Sequence, residues 1–240
     1  MIIEGGVSVK AALLAGRRTI NCIYLDEKRH DKDAHFIERK SEELHVPFKK
    51  VSRETIEEMA TGRTHGGLVA DVEGRNMQTL EDCLNAECPF VVVVEGVEDP
   101  FNLGYVMRSL YSAGCSGIIL RKRDWSHVET TILRSSAGAS EYINTVMVDH
   151  VEDAITSLKE KGLIAYAAMR KDAIPYFEAD FNQPMVLAIG GEMRGLSSKV
   201  LKTIDQNLYI PYANDFRNAL NAAGASAALG FEVVRQRKSY

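Results

Sequence analysis

Short apolar runs alternate along the chain with segments whose apolar positions recur every three or four residues. In the first seventy residues, Val7, Ala11, Leu13 and Leu14 suit a first helix, residues 20–25 a strand, 34–44 a helix and 47–51 a second strand. Leu68-Val-Ala-Asp-Val closes this small α/β module as a further strand, after a turn at His65-Gly66-Gly67. Residues 73–87 are polar and aperiodic until Leu80 and Leu84, which reads as a linker. The series beyond it runs strand 90–94, helix 102–113, strand 117–120, helix 128–137 and strand 143–148. An amphipathic helix on Val151, Ala154, Ile155 and Leu158 follows, then strands at 163–168, 185–189 and 208–210, and a final helix from about 217. Near-continuous apolar strands separated by helices predict an α/β fold, a parallel sheet covered on both faces.

Charge changes the picture little. The formal net charge of −4 excludes a global cationic field, so nucleic-acid contact has to come from local basic patches. Residues 1–72 balance twelve Lys and Arg against twelve Asp and Glu. Their basic pairs (Arg17-Arg18, Lys28-Arg29, Arg39-Lys40, Lys49-Lys50) are candidate phosphate contacts, although such pairs usually just solvate a face. With no run of eighteen apolar residues and no basic-then-apolar leader, a cytoplasmic protein is expected. Cys22, Cys83, Cys88 and Cys115 lack paired CxxC spacing and no HExxH occurs, so reduced thiols and no metal site are expected.

Three segments carry candidate chemistry. There is no GxGxxG after the first strand of the larger unit and no GxxxxGK[ST] in the chain, which removes dinucleotide and P-loop readings. Instead that strand runs into Asp99-Pro-Phe-Asn-Leu-Gly-Tyr-Val-Met-Arg108, where Asn102 can cap the following helix and Arg108 lies nearly two turns on. A second strand ends in Gly190-Gly191-Glu192, paired glycines that permit backbone approach to a ligand, followed by a carboxylate. The third segment is Leu208-Tyr-Ile-Pro211 and the alanine-rich run beyond it, with the amides of Asn218 and Asn221 just past a strand end, where open α/β sheets place ligands.

Taken together these segments resemble the SpoU/TrmH family of RNA 2′-O-methyltransferases in the SPOUT superfamily. Asn102, Gly104 and Arg108 resemble its first motif; Gly190, Glu192, Gly195 and Leu196 its second; Ile210-Pro211 through Leu220-Asn221 its third. Arg134-Ser-Ser-Ala-Gly-Ala is similar to its linking segment, and residues 1–72 to its ribosomal-protein-like substrate-binding domain. The resemblance implies a substrate-binding domain at 1–72, a linker at 73–86 and a methyltransferase domain at 87–240 with a deep trefoil knot. It further implies S-adenosylmethionine as cofactor, bound in bent form, and a homodimer with its active site near the interface. Carried over residue by residue, Leu187, Gly190, Gly191, Ile210, Pro211 and Leu220 would line the cofactor pocket. Asn102, Arg108, Glu192 and Asn221 would surround the methylated ribose. Arginine stays protonated at neutral pH, which favours Arg108 as an anchor for RNA phosphate or an oxyanion over a general base.

The chain also departs from the family pattern. Ala219-Leu-Asn-Ala-Ala stands where the family usually has Ser-Leu-Asn-Val-Ser, and Met193 replaces a small residue after Glu192. The function expected is SAM-dependent 2′-O-methylation of RNA, ribosomal in preference to transfer RNA because of the N-terminal domain. The competing readings are a catalytically weak SAM- or RNA-binding paralogue and a tRNA methyltransferase.

Overall fold

Residues 1–238 are described by the computed structural model, and their strands form two separate sheets. The first is built from β1 (Ile2–Glu4), β2 (Ile20–Asp26), β3 (Phe48–Val51) and β4 (Leu68–Val72), with helices α1 (Gly6–Ala15), α2 (Lys32–Glu43) and α3 (Arg53–Met59) between them. Its order is β1-β4-β2-β3; β3 runs parallel to β2, while β4 is antiparallel to β1 and β2. Val9, Ala12 and Leu13 of α1 and Ala34 and Ile37 of α2 meet Ile3, Ile23, Leu25, Leu68 and Ala70 in one core. Periodicity did not indicate β1 or α3: three residues are too few to show a period, and α3 buries only Ile56. What starts α3 is the Ser52 side chain, which accepts from the Thr55 N–H.

The second sheet has seven strands, all paired in parallel, in the order β7-β6-β5-β10-β8-β11-β9. In chain order its elements are β5 (Phe90–Glu95), α4 (Pro100–Ser112), β6 (Gly117–Arg121), then α5 (Glu129–Ser135) and α6 (Ala139–Tyr142), then β7 (Thr145–Val148), α7 (Val151–Glu160) and β8 (Ile164–Ala168). β9 (Ala173–Pro175), β10 (Met185–Gly190), α8 (Ser198–Leu201), β11 (Gln206–Tyr209) and α9 (Ala222–Arg237) complete it. Alternation along the strands covers both faces: Val91, Val93, Val186 and Ala188 pack under α7 and Val200 of α8, while α9 packs against both β10 and α4. Phe90 through Val93 are completely buried, each side chain contributing about 1.5–3 kcal/mol of apolar burial.

Two details differ from expectation for local reasons. Asn102 does not cap α4. The residue before a proline is held extended, so Asp99 (φ −75°, ψ 124°) takes the cap and accepts the Asn102 N–H at 2.7 Å, with Pro100 at the first helical position. The last helix begins at Ala222, not near 217, because Asn221 is extended (φ −64°, ψ 163°) and its Oδ1 accepts the Gly224 N–H at 2.8 Å. α9 packs against α4, and at Gly230 it comes close to the residue that ends α4: a Cβ there would stand 3.0 Å from the Ala113 Cβ.

Residues Trp125–Tyr142 belong to the first compact unit with Met1–Asn76, whereas Met77–Asp124 and the chain from Ile143 onward form the second. The expected 87–240 domain contains this excursion within its bounds, and its last two residues lie outside those described. Arg18 is the reason. Its guanidinium, almost wholly buried, donates to Glu141 from Nε (3.0 Å) and Nη2 (2.6 Å), to Glu129 from Nη2 (2.6 Å) and to the Glu73 carbonyl from Nη1 (3.1 Å). Burial works against the charge, but Glu141 and Glu129 outweigh it and hold the Arg18 pKa above its ordinary value. The Arg17-Arg18 pair is therefore no free phosphate contact at Arg18: that cation is internal. Gly138 (φ +85°) completes the packing, since a Cβ there would fall 2.6 Å from the Ala11 Cβ.

Candidate active site at the carboxyl edge of the parallel sheet

β5 and β10 are the central pair of the larger sheet, in register with Gly190 opposite Glu95. The chain leaves β5 toward β6 and β7 on one side and returns through β8 on the other, so the β5/β10 edge is the place where strand order reverses. Crevices outside the carboxyl ends of strands at such a reversal are the ligand sites of open α/β sheets.

The loop after β10 is tied to the loop after β5 by backbone. Gly191 donates to the Glu95 carbonyl at 2.7 Å, Gly195 donates to the Gly191 carbonyl at 2.9 Å, and the Ser197 N–H donates to Glu95 Oε2 at 2.7 Å. A Cβ on Gly190 would lie 2.5 Å from the Gly195 carbonyl carbon and 2.7 Å from the Leu196 nitrogen, and one on Gly191 would overlap the Gly96 carbonyl oxygen. The close approach these glycines allow is thus chain on chain, which folds 191–195 into a tight turn.

That turn presents Glu192, exposed, to the first turn of α4. Asn102 Nδ2 donates to Glu192 Oε1 at 3.2 Å, bridging ninety residues of sequence. The bond leaves Glu192 Oε2 and Asn102 Oδ1 as acceptors facing solvent chemistry. Arg108 lies six residues, about 9 Å of helix rise, beyond Asn102, is exposed, and makes no hydrogen bond or ion pair among the described residues. Asn221 spends its carbonyl on the α9 cap, which leaves its Nδ2 as a donor. Of the four expected acceptor-side residues the structure joins Asn102 to Glu192; among the described residues Arg108 and Asn221 make no hydrogen bond to that pair.

The cofactor-side residues divide as well. Leu187 is wholly buried in β10, three residues before Gly190. Ile210, half-buried, and Pro211, exposed, follow β11, which is two strands from β10, about 10 Å across the sheet edge. Leu220 is exposed and its N–H donates to the Tyr212 hydroxyl at 2.8 Å. A nucleoside carrying a sulfonium needs apolar walls and backbone donors and acceptors. Ile210, Pro211 and the uncovered Leu220 side chain supply the first, and the exposed backbone of 213–221 the second, so the residues fit such a group.

Sequence reasoning missed Glu95, Tyr212 and Arg170. Glu95 had a signal, being a carboxylate at the last position of a central apolar strand. Arg170 had none, because it works through contacts across 42 residues or more, two of them to backbone carbonyls, and Tyr212 had none because its hydroxyl serves a backbone N–H in a loop without periodicity. Among the described residues no group of three or more His, Cys, Asp or Glu could hold a metal ion. All four cysteines are free, and burial pushes the Cys115 thiol up to about 12.

Family models match both parts of the chain. The one described as the SpoU rRNA Methylase family covers residues 89–231, more than half of the sequence, and one described as RNA 2′-O ribose methyltransferase substrate binding covers 2–78. The chain belongs to the SpoU rRNA methylase family. Membership makes it an RNA ribose methyltransferase that takes its methyl group from S-adenosylmethionine. This SpoU methylase is 31% identical over 197 residues to a putative TrmH family tRNA/rRNA methyltransferase, YacO, of Bacillus subtilis, covering 80% of this chain and 78% of that one. It is 28% identical to the 23S rRNA (guanosine-2′-O-)-methyltransferase RlmB of Shewanella oneidensis, over 99% and 98% of the two chains. Among solved structures it resembles the AdoMet-bound rRNA methyltransferase of Sinorhizobium meliloti (TM-score 0.81, 25% identity, 99% of this chain and 88% of that one). The SpoU methyltransferase AviRb of Streptomyces viridochromogenes shares its fold (TM-score 0.81, 24% identity, 99% and 89%).

Proposed function

We propose that this SpoU methylase modifies ribosomal RNA, with Asn102, Arg108, Glu192 and Asn221 around the acceptor ribose. The Asn102–Glu192 hydrogen bond carries the reading, because it unites the first and second motif segments at the reversal point of the sheet. Bound S-adenosylmethionine supplies an electrophilic methyl group; Gly190, Gly191, Ile210, Pro211 and Leu220 would hold it, with Leu187 backing the strand beneath. The task left to the protein is alignment and activation of the 2′-hydroxyl. Glu192, oriented by Asn102, has a free oxygen that accepts the hydroxyl proton's hydrogen bond and raises the nucleophilicity of the oxygen. Arg108, always charged and unpaired here, holds RNA phosphate through its planar fork. The Asn221 amide donates to a ribose or phosphate oxygen.

Residues 1–72 bind the RNA in this reading and 87–240 transfer the methyl group. The strand order, with β10 entering between β5 and β8, supports the trefoil knot that the family resemblance implies. A homodimer through α4 and α9 is supported by exposed Phe101 and Tyr105, four residues apart on α4, and Phe231 on α9, two helices that pack together. No helix of the described residues is long and apolar enough to cross a membrane, and an RNA-modifying role accords with a cytoplasmic protein.

The test is transfer of radiolabelled methyl from SAM by the purified full chain to ribosomal RNA and, in parallel, to tRNA, with the modified riboses mapped. Methylation of rRNA, lost in Glu192→Gln and Asn102→Ala, is expected. Labelling of tRNA alone would refute the rRNA assignment, and SAM binding without transfer to either would favour the catalytically weak paralogue.

A further inference from the structure

The connection from β11 to α9 is a long surface loop, in which residues 213–221 are all exposed and none belongs to a helix or strand. Its position is nevertheless defined, because a side chain from a different crossover holds it. Arg170, two residues past the end of β8, donates from Nη1 to the Arg217 carbonyl at 3.0 Å and from Nη2 to the Asn218 carbonyl at 3.2 Å. The same guanidinium lies 4.6 Å from the centroid of the Tyr212 ring. Tyr212 in turn accepts the Leu220 N–H on its hydroxyl at 2.8 Å, one residue before the Asn221 cap. One arginine thus grips the middle of the loop, and the ring on which it stacks grips the end.

The base of this strap is itself fixed. The Met169 N–H donates to the Leu208 carbonyl at 2.9 Å and Asn207 Nδ2 to the Lys171 carbonyl at 3.0 Å, so the residues on either side of Arg170 are anchored to β11. Bridging two successive carbonyls while stacking on a ring uses the planar fork of arginine and is beyond a lysine ammonium. Arg170 is exposed as Arg108 is, but both of its Nη atoms donate to carbonyls of the protein, whereas Arg108 makes no such bond among the described residues.

We propose that Arg170 and Tyr212 are positioning residues for methyl transfer. They set residues 210–221 in the conformation that presents Leu220 to the cofactor and Asn221 to the acceptor, without touching either molecule. This rests on the assignment of Leu220 and Asn221 to the site.

The test uses the full chain and four readouts: tryptic cleavage after Arg217 followed by mass spectrometry, SAM affinity by calorimetry, single-turnover transfer at saturating SAM, and the thermal transition. Arg170→Ala is expected to speed cleavage after Arg217 and to weaken SAM binding about tenfold, with a similar loss in single-turnover rate and an unchanged thermal transition. Arg170→Lys should recover less than half of the loss on a logarithmic scale, and Tyr212→Phe, which keeps the ring and removes one acceptor, should show a smaller loss of about threefold. Cleavage and SAM affinity within twofold of wild type in Arg170→Ala would overturn the proposal, as would full rescue by lysine. If Leu220→Ala and Asn221→Ala also bind SAM and transfer methyl normally, the site assignment has failed. If those two are impaired while Arg170→Ala is not, the strap alone has failed.

Discussion

Replacing Gly190 with alanine isolates one physical effect at the centre of the proposed site. Gly190 does not have the left-handed backbone that disfavours side chains, so Gly190→Ala brings a steric conflict without a conformational one. Its new methyl would start 2.5 Å from the Gly195 carbonyl carbon, 2.7 Å from the Leu196 nitrogen and 2.8 Å from the Gly195 Cα, all backbone atoms that cannot swing aside. Carbon atoms rest at about 3.5 Å or more, so the 191–196 turn has to retreat by about 1 Å. Glu192 rides on that turn, and its 3.2 Å bond to Asn102 does not survive such a shift. A misplacement of about 1 Å in an aligned reaction costs about a hundredfold in rate, and overpacking costs about 1–3 kcal/mol of stability. Single-turnover methyl transfer at saturating SAM, with calorimetric unfolding alongside, measures both. Gly195→Ala is the control, because Gly195 is left-handed (φ +61°) but no atom lies within 4 Å of its added Cβ, so strain alone acts. Its rate should fall far less than that of Gly190→Ala. Transfer by Gly190→Ala within threefold of wild type would refute the claim that this turn aligns the site.

Arg108→Ala should abolish transfer while leaving SAM affinity, read by calorimetry, nearly unchanged, and Arg108→Lys should rescue poorly; a large fall in SAM affinity would reassign the residue to the cofactor side. Ala219→Ser, restoring the hydroxyl that the family carries, should raise the single-turnover rate by under about tenfold, roughly 1.4 kcal/mol, and a much larger gain would show a natural protein impaired in catalysis. Arg18→Met strands the buried Glu141 and should lower unfolding free energy by about 3–5 kcal/mol, measured by denaturant titration. Arg18→Met combined with Glu141→Leu should be more stable than Arg18→Met alone, and a double variant no better than the single would sink the ion-pair explanation.

Element type and the three motif segments were legible in the sequence because they are set locally. Five successive apolar residues at 90–94 announce a central strand, Asp99-Pro100 a turn into a helix, and Gly190-Gly191 a place without side chains, although the cap fell to Asp99 and the close approach at the glycines is to backbone. Local reasoning failed where a distant group decided the outcome. The alanine-rich run was read as helical from 217, yet the carbonyls of Arg217 and Asn218 are taken by Arg170 and the helix starts only after Asn221. Nothing local to residues 128–142 announces that Glu129 and Glu141 close on a buried Arg18 more than a hundred residues earlier. The same holds within the site. Sequence named Asn102 and Glu192 separately, through resemblance, and their hydrogen bond exists only because β5 and β10, ninety-five residues apart, pair in register. Periodicity and turn chemistry report what neighbouring residues prefer. Which strand ends meet, which glycine faces another backbone and which cation is buried are set by long-range packing.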